Sequence, residues 1–234
     1  MTEAEWLACH EPDPMLVFLR GRATDRKLRL FAVGCCRSIW HLLPNEAARA
    51  LVEVAERFAD GLASEEERAT AEGEFTWADW ESRGSQDPYL CSLATEAVTQ
   101  LARESDATFA ARTHRVNPGW PEQAYEAARG VSNQVGHTTP LSRRPEEWAK
   151  QIKVLRDIFG NPFRPVTPDP AWLTDDVRTI ARQMYNSRDF SRMAMLAVAL
   201  QDAGCDNEDI LTHCRGPGPH VRGCWVVDAV LDLA

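Results

Sequence analysis

Two cysteines, two histidines, three glycines and two prolines fall within the fourteen residues Thr212–Trp225, THCRGPGPHVRGCW. Thiolate and imidazole are the side chains that bind zinc or serve as nucleophile and base, and Gly/Pro-rich loops are where such groups are commonly displayed. With Cys205 just upstream, five candidate metal ligands, Cys205, His213, Cys214, His220 and Cys224, lie within twenty residues. Zinc needs four such donors at about 2.0–2.3 Å, usually delivered as two closely spaced pairs. Here the intervals are nine, six and four residues (205 to 214, 214 to 220, 220 to 224) and no CxxC occurs, so the pairs are imperfect. The Gly-Pro-Gly-Pro hinge between Cys214 and His220 supplies the reversal that would bring four donors together.

Other chemistries fit the same residues. A thiol enzyme would need Cys214 or Cys224 lowered in pKa beside a base, with Arg215 and Arg222 nearby to favour the thiolate and Asp228 or Asp206 to orient the base. Adjacent side chains point apart, so His213 is a poor partner for Cys214 and His220 a better one. The glycine amides flanked by Arg215 and Arg222 suggest an anion site, without the Lys-Ser/Thr ending of a phosphate loop. Against all of these stands plain packing, since cysteine is a small hydrophobe that is commonly buried. Packed thiols weigh heaviest on sequence grounds, and the metal reading is the sharpest.

The elements that must position this corner are helices. Thr24 or Asp25 caps a helix carrying Leu28, Ala32, Cys35, Ile39 and Leu42 at three- and four-residue spacing, expected to run through Leu43. Helices follow at Glu46–Gly61, from Ser64, from Asp87 with Leu90 to Leu101 as its apolar side, and from Pro145 to Phe159. The proline-rich NPFRPVTPDPAWL must run extended, is the best domain boundary, and is expected to be anchored by Phe163, Val166 and Trp172 between two helical halves. Helices from Thr174 and Ser191 and a short one at DNEDILTHC lead into the Cys/His loop. Only CWVVD has any strand character. The fold class expected is all-α, a multi-helix bundle divided as 1–160 and 161–234, the second part bearing the Cys/His loop.

Composition sets outer bounds. The 234 residues are 44% hydrophobic and 26% charged, enough to bury a core without disulfides. The net charge of -9 opposes sequence-independent binding to phosphate backbones, so nucleic acid is a disfavoured partner. Seven cysteines, with Cys35 and Cys36 adjacent on one helix, argue for reduced thiols. The acidic N-terminus has no signal-like apolar stretch and no long apolar span occurs, so a cytoplasmic location without membrane contact is expected.

The stretches MTEAEWLAC, LRLFAVGCCRSIWHLL and AGCDNEDILTHCRGPGPHVRGCWVVD resemble a family of uncharacterised bacterial proteins. The resemblance covers both ends of the chain, not the middle from about Thr70 to Arg144, and brings no activity or site residue with it. With no complete catalytic motif, the function expected is that of an interaction or regulatory module that binds another protein, its Cys/His loop held rigid by packing or by one structural zinc ion. The alternative is the thiol enzyme using Cys214 or Cys224 with His220.

Overall fold

The computed structural model describes residues 1–43, 45–75, 123–137 and 144–233. The helix expected around Leu90–Leu101, the Trp77/Trp80 pair, Cys91 and most of the His137–Pro145 loop lie outside these residues. Within them the fold is all-α, and the CWVVD segment forms a helix and not a strand. No described helix is long and apolar enough to cross a membrane.

One compact unit spans Glu3–Ile152 and a second Lys153–Ala234. In the first, α1 (Glu3–Ala8) and α2 (Pro12–Leu19) precede α3 (Asp25–Ser38), which packs on α4 (Glu46–Ala59) and on α6 (Gln123–His137), while α5 (Glu65–Glu74) packs on α4. Thr24 caps α3 by accepting from the Lys27 amide, as expected; Asn45 caps α4 by accepting from Ala48, and Ser64 and Glu67 form a reciprocal capping box. The α3 helix stops at Ser38, sooner than its apolar spacing suggests, because a 3-10 turn at Trp40–Leu42 takes over ahead of Pro44. Cys35 and Cys36 are both buried, so the pair contributes to packing.

The helix α7 (Arg144–Phe159) runs across the division, which falls between Ile152 and Lys153, before the proline-rich segment rather than at its start. In the second unit α8 (Asp175–Ser187) packs against α9 (Met193–Asp202) and α11 (Trp225–Leu231), and α10 (Glu208–Arg215) against α9 and α11. Their shared core contains Val177, Met184, Leu196, Leu200, Ile210, Leu211 and Val227. Thr174 caps α8 as expected, whereas α9 begins after Arg192 and Ser191 does not cap it.

The proline-rich stretch is irregular but for one 3-10 turn, Pro170–Trp172, capped by Asp169. Val166, Trp172 and Leu173 rest partly buried on the core of the second unit. Because the Trp172 ring is only part-buried, Trp172→Ala should cost about 1–3 kcal/mol, less than a fully enclosed tryptophan. Urea unfolding of the full chain measures this, and a loss under about 0.5 kcal/mol would mean that the segment is not held on that core.

Candidate metal centre

Four side chains from four places in the second unit converge. Asp157 comes from the last turn of α7, His213 from the last turn of α10, His220 from the Gly/Pro loop, and Cys224 from the residue that caps α11. One donor atom from each lies within 4.8 Å of every other. Local sequence accounts for the placement. Consecutive helical residues project about 100° apart. On α10, Ile210, Leu211 and Cys214 therefore take the core while His213 is turned to the site. At Gly218, φ is +72°, and a Cβ there would lie 2.9 Å from the His220 nitrogen and 3.2 Å from its ring. Only glycine lets the loop fold His220 back over itself.

Asp157 organises the cluster. Its Oδ2 accepts the Val221 amide at 2.9 Å, and its Oδ1 lies 2.7 Å from His220 Nδ1 and 3.2 Å from His213 Nε2. The same His213 Nε2 is 3.2 Å from Cys224 Sγ. Asp157 and Cys224 are sealed from solvent, while the side chains of His213 and His220 retain 17% and 8% exposure. One imidazole edge thus faces outward and the anionic donors lie inside.

The outer hydrogen bonds fix where the ring protons sit. His220 Nε2 faces the Gly216 carbonyl at 3.4 Å, an oxygen that can only accept, so Nε2 carries a proton. His220 Nδ1, turned to the carboxylate, then either carries a second proton that it donates to Oδ1 or is free to ligate a cation. A histidine that ligates through one nitrogen and donates to a backbone carbonyl through the other is the usual arrangement at metal sites. On His213 the pattern is reversed: the Trp225 indole N–H donates to Nδ1 at 3.1 Å.

Electrostatics follow from this geometry. Burial pushes the Asp157 carboxyl up, but the hydrogen bonds and charge of His213 and His220 outweigh it and hold the group below its ordinary value. Burial pulls His220 down, and the hydrogen bond and charge of Asp157, with help from the Gly216 carbonyl, overcome that and raise it. Burial and then the Asp157 charge push the Cys224 thiol well up, with the Val226 and Val227 amides partly offsetting them. Burial pushes Cys214 up to about 12. Neither thiol is activated as a nucleophile in the absence of a cation.

Of the five residues singled out by sequence, His213, His220 and Cys224 come together and Cys205 and Cys214 do not join them; both lie in the core of the unit. Cys224 pairs with His213 and not with His220. The fourth donor, Asp157, is 63 residues from His220 and gave no local signal beyond an acid placed between the apolar residues Leu155 and Ile158. The arginines of the loop are engaged elsewhere, Arg215 with Gln201 at 2.7 Å and Arg222 with the Tyr185 carbonyl at 3.0 Å and over its ring. Each is thus tied into the fold.

One thiol, two imidazoles and a carboxylate form a group that could hold a metal ion. No family model, curated protein or solved structure matches this chain.

In protein kept metal-free by a chelator, the pH dependence of stability has a definite sign. His220, raised in the fold, stabilises fully below its unfolded value of about 6.5 and loses that contribution as pH rises through its folded value. Asp157, lowered in the fold, stabilises above about 3.9 and loses that contribution as pH falls through its folded value. The melting temperature of chelated protein should therefore fall as pH rises above about 6.5, and the His220→Asn variant should lack that fall. Identical pH profiles for the two proteins would show that the Asp157–His220 pair does not form.

Proposed function

We propose that Asp157 Oδ1, His213 Nε2, His220 Nδ1 and Cys224 Sγ hold one zinc ion, and that this ion is structural. The observation that carries the reading is the convergence of one donor atom from each of these four side chains within 4.8 Å of every other, with Asp157 and Cys224 buried. The Gly216 carbonyl behind the His220 ring supports ligation through Nδ1, since the outer nitrogen can keep its proton. A thiolate among the ligands disfavours magnesium and calcium, and two imidazoles with one thiolate suit zinc. Four protein donors complete a tetrahedral shell, the arrangement of structural rather than catalytic zinc.

The ion would join the end of α7, the end of α10, the Gly/Pro loop and the cap of α11. In this reading the protein is an interaction or regulatory module that acts by binding another protein. Thiols pushed up by burial support that reading over a thiol enzyme.

Protein purified without a metal-affinity tag should contain about one zinc per chain, and chelation should lower its melting temperature, because a bound ion adds its binding free energy to folding. The Asp157→Asn variant, of nearly unchanged shape, should bind zinc more weakly by about 100-fold or more. Less than ~0.1 zinc per chain, with no melting shift on chelation, would remove the metal reading, since structural sites are normally occupied.

A further inference from the structure

The two histidines of the cluster are held in opposite states of readiness. His220 turns Nδ1 to Asp157 Oδ1 and Nε2 to the Gly216 carbonyl, so its outer nitrogen can keep a proton when Nδ1 ligates. His213 presents Nε2 to the centre, yet its Nδ1 receives the Trp225 indole N–H at 3.1 Å. An indole nitrogen donates and never accepts, so Nδ1 is unprotonated and the proton of the neutral ring sits on Nε2. That is the nitrogen which faces Asp157 Oδ1 and Cys224 Sγ, each at 3.2 Å. Without a metal this is a consistent network, in which Nε2–H donates inward to an anionic oxygen. For a metal, the lone pair is on the wrong nitrogen.

We propose that Trp225 sets how readily the centre loads by holding the His213 proton on Nε2, and that loading breaks the Trp225–His213 hydrogen bond. The inference rests on the zinc reading above. The proton balance of the His213 step is simple. The ion takes the Nε2 lone pair as the Nε2 proton leaves to solvent, and a proton is taken up at Nδ1, so the ring stays neutral and the indole N–H loses its acceptor. Trp225 is a positioning residue and touches no metal. It is itself fixed in place: its ring lies against Gly160, where a Cβ would come within 3.1–3.3 Å of three indole atoms. The ring stands 5.1 Å from the His213 ring, centre to centre. Trp225 is also the first residue of α11.

The test is zinc affinity of the full chain, measured by competition with a chromophoric chelator, for wild type and Trp225→Phe. Removing the N–H frees Nδ1 to carry the proton, and affinity should rise about tenfold, the scale on which outer hydrogen bonds tune metal sites. If phenylalanine disturbs folding, β-(3-benzothienyl)alanine at position 225 keeps the shape of indole and lacks only the N–H, and it should raise affinity equally. In the wild type, the indole N–H resonance of Trp225, assigned by its loss in Trp225→Phe, should shift on zinc addition as its hydrogen bond is lost. Zinc bound by wild type with unchanged or weaker binding by both replacements, or an indole resonance that zinc leaves in place, overturns the role of Trp225 and leaves the zinc reading standing. Zinc bound by none of the three proteins overturns both.

Discussion

A carboxylate sealed from water is the constraint around which the second unit is built. An isolated buried charge is too costly to keep, so Asp157 must be compensated by whatever surrounds it. Its two oxygens take different partners, with Oδ2 holding the Val221 amide and Oδ1 gathering both imidazoles. Because Val221 and His220 belong to the loop, His213 to α10 and Asp157 to α7, this one side chain fixes the loop against two helices. The cysteine that caps α11 comes into the same enclosure through His213. Removing the charge would leave two histidines and a thiol with no reason to meet.

The same enclosure supports two proton arrangements of different use. With protons on both imidazoles' inward nitrogens, the cluster is a closed hydrogen-bonded network around an anion. With a divalent cation in their place, Asp157 and Cys224 become the negative partners of a metal, and the burial that pushes the thiol up in the first state is overcome by ligation, which deprotonates a coordinating thiol. The Gly216 carbonyl favours the second state at His220 and the Trp225 indole favours the first at His213. The centre is thus held by two outer hydrogen bonds that act in opposite directions.

Much of this was legible in the sequence, for reasons that differ from residue to residue. The helical class follows from apolar spacing and from caps such as Thr24, Ser64 and Thr174, which are local signals. The Cys/His loop announced itself by residue type, and the reversal at Gly218 is implied by its glycines and prolines. Which donors meet is not a local property. Cys214 is next to His213, and one step along a helix is enough to send it into the core with Cys205. Asp157 lies in a helix far upstream, in a run whose neighbours Leu155 and Ile158 are core, so only the tertiary fold reveals that an acid among them points at two histidines. The helix at CWVVD was obscured by its β-branched pair, Val226 and Val227, whose strand propensity is overruled by packing of α11 on α8 and α10.

The central claim is the identity of the four donors, and X-ray absorption at the zinc edge of the loaded protein addresses it most directly. Sulfur and the lighter ligands scatter at separable distances, so the number of thiolates can be counted. The account predicts one sulfur at about 2.3 Å and three nitrogen or oxygen neighbours at about 2.0–2.1 Å. Two or three sulfurs would show that Cys214 or Cys205 leaves the core to bind, and a shell with no sulfur would remove Cys224; either result contradicts the centre described here.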